Sequence, residues 1–330
     1  MKGAGGFEAN GQSLRTLARL EKFSQSAGSN LTRRTLLGIL KYPISFTNAC
    51  GSEMSPRLAQ NTTAISILDR QICKPPKCYH DSEQSIVDWI LAPLCDEDRV
   101  LFSEATGGNN GKHKKAVHKS LDCSIMDVAD DIAYGVHDLE DVIALNLVSE
   151  SRFRELVPEE ACSHFLGALK SKYPEEFSNN IYDQFITKLF RDSGTRKRQI
   201  GRLVHYFMTA VEPVEISGFK EPLLKYRVAL KGERKEFLDR LQNFVVTDVI
   251  RSPGVQHLEF KGQQMVVSVF EAFKADPVSF LPSVTYGKFE EEGRNERVIC
   301  DHIAGMTDGF LLRTYERLFS PRMGSIFDRL

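Results

Sequence analysis

Residues 122–149 read DCSIMDVADDIAYGVHDLEDVIALNLVS, and this stretch decides the fold. At about 100° per residue, Ile125, Val128, Ala129, Ile132, Val136, Leu139 and Ile143 gather on one broad face of a helix. That face is expected to be buried. Asp127, Asp130, Asp131, Asp138 and Asp141 fall on the other arc, with Tyr134 and His137 among them. Asp130, Tyr134 and Asp138 stand at i, i+4 and i+8, a single stripe along the helix. A solvated acidic face has the same pattern. Two features weigh against that plainer account. No basic residue follows these acids at i+4, so the carboxylates repel one another without local compensation. Aspartate is also a poorer helix former than glutamate, which a purely solvating face would prefer. A divalent cation or a ligand hydroxyl would account for the choice.

Outward from this helix the chain reads as mainly helical. Apolar residues recur at helical spacing over 10–24, 31–41, 57–72, 84–92, 158–171 and 176–191, and again over 196–211, 231–250, 258–275 and 294–319. Strand signals are few. Residues 213–230, PVEISGFKEPLLKYRVAL, alternate enough for one irregular hairpin. Residues 104–120, EATGGNNGKHKKAVHKS, are polar, basic and rich in Gly and Asn, and are expected to form an exposed loop. The expected architecture is all-α with at most one small hairpin. Its core would cover 1–212, and a helical extension would run over 213–330.

Composition narrows the function classes. The 330 residues carry 43 Lys plus Arg against 44 Asp plus Glu, so the net charge of -1 gives no bulk attraction to nucleic acid or membrane. Any phosphate handling must come from a local basic patch. No apolar run is long enough to span a bilayer, and seven cysteines, an odd number, suit a reducing cytoplasm better than a disulfide framework. Cys73 and Cys78 in CKPPKC lack a second close Cys or His pair, so they read as ordinary thiols. GGNNGK at 107–112 fails as a phosphate-binding loop, because only three residues separate Gly107 from Gly111 and His113 stands where Ser or Thr is needed.

The run MDVADDIAYGVHDLED closely resembles a helix of the deoxyguanosine triphosphate triphosphohydrolases of the HD superfamily. The resemblance continues along the chain, in family order. GGFEANGQSLRTLARLE at 5–21, LTRRTLLGILKYP at 31–43, KPPKCYHDSE at 74–83 and VICDHIAGMTDGFLLRTYERLF at 298–319 each resemble family segments, and RKRQIGRLVHYF at 196–207 does so more loosely. It implies an HD-domain-like helical bundle that hydrolyses dGTP or another dNTP to deoxynucleoside and triphosphate with a divalent metal such as Mg or Mn. Asp130 would ligate the metal, with Asp131 as the alternative. Tyr134 and Asp138 would contact the deoxyribose around its 3′-hydroxyl, and packing against Tyr134 would disfavour a 2′-hydroxyl. Asn10, Lys41, Tyr42, Lys77, Arg198 and Tyr206 would face the nucleotide, with the lysines and Arg198 offsetting charge on the triphosphate. The resemblance also implies a homo-oligomer.

The early His and the adjacent His-Asp pair that complete the family's metal site have no counterpart. Met1-Lys2-Gly3 resembles an internal point of the family's sequence, so the His and His-Asp motifs are expected upstream of it. His80-Asp81, His137-Asp138 and Asp301-His302 all occupy the wrong context to replace them. One monodentate carboxylate does not hold a catalytic divalent cation in water. The chain alone is therefore expected to bind metal poorly, to retain no catalytic residue and to be inactive, oligomeric or poorly soluble. A non-catalytic, nucleotide-binding or regulatory paralogue that joins active subunits is the alternative. Weak binding of single-stranded nucleic acid through Lys112, Lys114, Lys115 and Lys119 is a third.

Overall fold

A computed structural model describes residues 5–51, 69, 74–108, 112–177 and 179–321. The N-terminal part contains helices α1 (Ala9–Arg15), α2 (Arg33–Ile39), α3 (Phe46–Ala49), α4 (Gln84–Leu91) and α5 (Asp96–Phe102), then strands β1 (Ala105–Gly107) and β2 (Lys114–Ala116). The long α6 (Leu121–Ala144) follows, then α7 (Glu150–Leu156), α8 (Ser163–Lys172), α9 (Ile181–Phe190) and α10 (Ser193–Met208). Strand β3 (Glu212–Glu215), α11 (Pro222–Lys225) and β4 (Tyr226–Ala229) lead into α12 (Gly232–Val245). The C-terminal part is α13 (Pro253–Ala275), α14 (Pro277–Phe280), α15 (Ser283–Glu291), α16 (Glu296–Ala304) and α17 (Asp308–Phe319). The fold is mainly helical, and among the described residues no helix is long and apolar enough to cross a membrane.

The centre is α6. Ile132, Val136, Leu139 and Ile143 are buried against α8, α9, α10 and α12, in a core that draws residues from both sides of residue 213. Gly135 permits the α6–α12 contact, since a Cβ there would come within 2.5 Å of a Leu238 methyl. Two positions of the expected buried face are exposed instead: Ala129, and Ile125 at 48%. Near the N-terminus of α6 it is Cys123 and Ser124 that are buried instead.

A second core joins α1, α2 and α4 through Leu14, Leu36, Leu37, Val87 and Ile90. Ser120 links the two cores: it caps α6 by accepting from Cys123 N at 3.2 Å and donates its hydroxyl to Leu37 O at 3.1 Å. A third cluster, with Val269, Phe273 and Ile299, holds α13, α15, α16 and α17 together.

The strand pair at 213–230 is present as the antiparallel β3–β4, in register from Glu212↔Ala229 to Glu215↔Tyr226. Buried Asp98 fixes the turn by accepting from the backbone N–H groups of Lys220 (3.0 Å) and Glu221 (2.8 Å). The expected loop at 104–120 is corrected: β1 and β2 form a second antiparallel pair with Ala105 opposite Ala116. Gly107 and Gly108, at φ +86° and +87°, supply the left-handed backbone that ends β1. The continuous helix expected over 294–319 breaks at Gly305, and Thr307 caps the next helix by accepting from Phe310 N at 3.3 Å. The helix expected at 57–72, apart from residue 69, lies outside the described residues, as do residues 109–111 of the glycine run and Cys73.

Candidate functional site

The site grows from the start of α1. Glu8 is buried and extended, and its carboxylate caps the helix by accepting from Asn10 N (2.8 Å) and Gly11 N (3.1 Å). The same carboxylate accepts from the Asn10 side-chain amide at 2.8 Å and from Lys77 Nζ at 2.8 Å. One acid therefore holds two of the expected phosphate-facing groups. Gly11 lets the 74–80 segment lie directly on the helix, because a Cβ would meet Cys78 O and the His80 ring at 2.9 Å.

Behind Glu8 lies His80, fully buried. Arg297 approaches His80 Nδ1 at 3.3 Å and also donates to Gly6 O. The Glu8 backbone N–H donates to His80 Nε2 at 3.0 Å, and the Glu8 carbonyl oxygen lies 3.2 Å from the same nitrogen. Burial, reinforced by the Arg297 charge, pushes the His80 pKa down to about 4. Asp81 accepts from Thr47 N (3.0 Å) and Thr47 Oγ1 (2.7 Å). His80-Asp81 is thus a structural pair.

At the C-terminal end of α2, Lys41 reaches across to α6 and pairs with Asp127 at 2.7 Å. Burial opposes its charge, but Asp127 outweighs that effect, and with Tyr42 and Asp130 adding to it the ammonium is held above its ordinary value. Lys119, just ahead of the Ser120 cap, pairs with the other oxygen of Asp127. The Tyr42 ring lies near two of the lysines, its centroid 5.8 Å from Lys77 Nζ and 5.9 Å from Lys119 Nζ. A shallow surface depression lies alongside, lined by Asn10, Leu14, Leu40, Lys41, Tyr42 and Tyr79 among others.

The stripe on α6 continues this face. Asp130 is exposed, Tyr134 is 36% exposed and Asp138 is half-buried. Burial and the neighbouring Asp141 hold the Asp138 carboxyl above its usual range, and burial and Asp138 raise the Tyr134 phenol. Asp131 turns the other way. Burial raises its pKa, Lys235 of α12 opposes the shift, and its backbone carbonyl accepts from Gln242 at 2.8 Å.

Asn10, Lys41, Tyr42 and Lys77 come together, and Asp130 acts electrostatically on Lys41. Arg198 is exposed on α10, which packs against α6. Tyr206 sits in the α6 core with its hydroxyl 2.6 Å from His164 Nδ1 and its ring beside Phe165 and Phe207. Among the described residues no hydrogen bond, ion pair or ring contact joins either of these two to the lysines. Sequence reasoning missed Glu8 and the placement of Lys119. An acid at an N-cap position three residues ahead of Gly11 was the available signal for Glu8.

The donor set does not fit a divalent cation: among the described residues no three His, Cys, Asp or Glu side chains converge, on Asp130 or elsewhere. Cys78 is buried, which pushes its thiol up, and it is no ligand candidate.

The chain is 41% identical over 333 residues to a deoxyguanosinetriphosphate triphosphohydrolase-like protein of Shewanella halifaxensis, spanning 99% of this chain and 72% of the relative. It belongs to the deoxyguanosinetriphosphate triphosphohydrolase-like family. A second member, from Deinococcus radiodurans, is 38% identical over 332 residues, 99% of this chain and 71% of its own length. Residues 228–317 match the phosphohydrolase-associated domain, so the match begins within β4 and ends within α17. Within this family the lysine-bearing face and the α6 stripe are parts of one molecule whose relatives are named for nucleotides.

Proposed function

We propose that this chain binds a deoxynucleoside triphosphate, dGTP foremost, across the face shared by α1, α2, the 74–80 segment and α6. The observation that carries the reading is the meeting of Lys41 with Asp127 and Asp130, which makes the lysines and the acidic stripe one continuous surface. Lys41, Lys77 and Asn10 would take the phosphates. Asp138 would accept a hydrogen bond from the 3′-hydroxyl, and Tyr134 would pack on the sugar edge where a 2′-hydroxyl would project. Arg198 and Tyr206, from the packed α10, would act at the rim and through the core respectively.

The reaction class of the family name is hydrolysis of the nucleotide to deoxynucleoside and triphosphate. The described residues offer charge offset and sugar recognition, and among them Asp130 has no co-ligands for a metal. That same observation favours a second reading, a non-catalytic nucleotide-binding member that works with active subunits.

Calorimetric titration tests the proposal. Wild type should bind dGTP more tightly than GTP, Asp138→Asn should weaken both by about tenfold, and Tyr134→Ala should erase the preference. Equal affinity for dGTP and GTP in wild type would remove the sugar-reading role. The protein alone, given Mg²⁺ or Mn²⁺, should release no triphosphate above a heat-killed control. Clear release would overturn the non-catalytic reading and restore a metal site.

A further inference from the structure

We infer that Lys119 is a third polyphosphate-binding cation of this face, acting beside Lys41 and Lys77. The inference rests on the nucleotide reading above and adds a residue that the family resemblance does not supply. In the sequence Lys119 belongs to a basic run with Lys112, Lys114 and Lys115. The fold splits that run. Lys114 and Lys115 lie exposed in β2, opposite Gly107 and Thr106, whereas Lys119 leaves the strand and turns inward over Tyr42.

Two ammonium groups thereby lie within 6 Å of one aromatic ring, and the third joins them through Asp127. Lys77 comes from the segment after residue 73, Lys41 from the end of α2, and Lys119 from the lead-in to α6. The plainer account makes Lys119 a mere internal partner of Asp127. Asp127, however, already pairs with Lys41 at 2.7 Å, so Lys119 shares that carboxylate instead of having one of its own. An extended anion with several charges, not a single carboxylate, matches ammonium groups brought from three segments to the neighbourhood of Tyr42. Lys119 is also free to change partner, since its side chain is 33% exposed on a flexible four-carbon stem. In the ligand-free protein Asp127 holds Lys119 and Lys41 in place, and an arriving triphosphate takes over those contacts.

The test measures binding of inorganic triphosphate to the 330-residue protein by calorimetry, with a chelator present so that no metal contributes. Lys119→Gln keeps a hydrogen-bond donor for Asp127 while removing the charge. It should weaken triphosphate by about tenfold or more, with a shallower salt dependence, while Lys119→Arg restores most of the affinity. Lys115→Gln, in the exposed strand, should stay within about twofold of wild type. Thermal midpoints read alongside separate folding from binding: a purely structural Lys119 would lower the midpoint of Lys119→Gln and leave triphosphate affinity unchanged, overturning the inference. If Lys41→Met loses affinity and Lys119→Gln does not, the site stands and Lys119 falls. Failure of wild type to bind triphosphate at all would take down the site reading and Lys119 with it.

Discussion

Two charged regions of this molecule are built from similar residues and behave in opposite ways. Around Tyr42, Lys41, Lys77 and Lys119 pair with Asp127 and Glu8 through flexible stems that are 20%, 45% and 33% exposed. A short distance along α1, Arg15 is 7% exposed and meets Glu83 at 2.6 Å and Asp301 at 2.7 Å, while Arg19 takes the second Glu83 oxygen. Burial works against the Arg15 charge, but Asp301 and Glu83 outweigh it and raise its pKa above the ordinary value. The first group can exchange its carboxylates for a ligand's oxygens with little repacking. In the second, the Arg15, Glu83 and Asp301 side chains are each at most 8% exposed, so replacing a partner there requires repacking, and this group serves the fold. The distinction lies in exposure and in the choice of arginine for the planar, forked contacts, with lysine for the exchangeable ones.

The contrast predicts effects of very different size. The largest is Arg15→Met, which strands Asp301 and part of Glu83 without compensation and should cost about 3–5 kcal/mol in a urea titration. A loss below about 1 kcal/mol would place this network with the surface pairs instead.

Next comes pH. His80 is held down to about 4, so between that value and its unfolded pKa of about 6.5 the unfolded chain binds the extra proton. The stability this residue contributes is full above about pH 6.5 and fades as pH falls towards 4, by on the order of 3 kcal/mol. Comparing the urea midpoints of wild type and His80→Gln at pH 7 and pH 4.5 checks the sign. A variant with the same acid slope as wild type would show that His80 does not carry it.

The smallest stability change is expected for Lys41→Met, within about 1 kcal/mol, alongside about tenfold weaker triphosphate binding. A large stability loss with unchanged binding would reverse the roles assigned to the two regions.

The helical class and the long central helix were legible because α6 carries a sustained 3.6-residue period. The β3–β4 pair showed through its alternation. Short helices such as α5 and α7 did not, since seven residues make two turns and give too little periodicity to separate from a loop. The β1–β2 pair was hidden by polar strands whose pairing is set by Gly107 and Gly108 and by neighbours distant in sequence. For the site, Asn10, Lys41, Tyr42 and Lys77 were reached through resemblance, and their convergence is geometric. Glu8, Lys119 and the His80–Arg297 contact depend on tertiary approach, which no local pattern encodes.

Arg15 and Asp301 are separated by 286 residues, and Arg297 and Gly6 by 291. Such pairings carry the largest loop-closure entropy the chain offers, and they slow folding accordingly. During synthesis, at roughly 5–20 residues per second, α1 would wait roughly 15–60 s for α16 to emerge. Through that interval Arg15 and Glu83 have no Asp301 to complete them, and His80 has no Arg297 across its ring. Arg15 and His80 therefore stay without these partners until α16 has been made, an interval in which this face of the chain is incompletely packed.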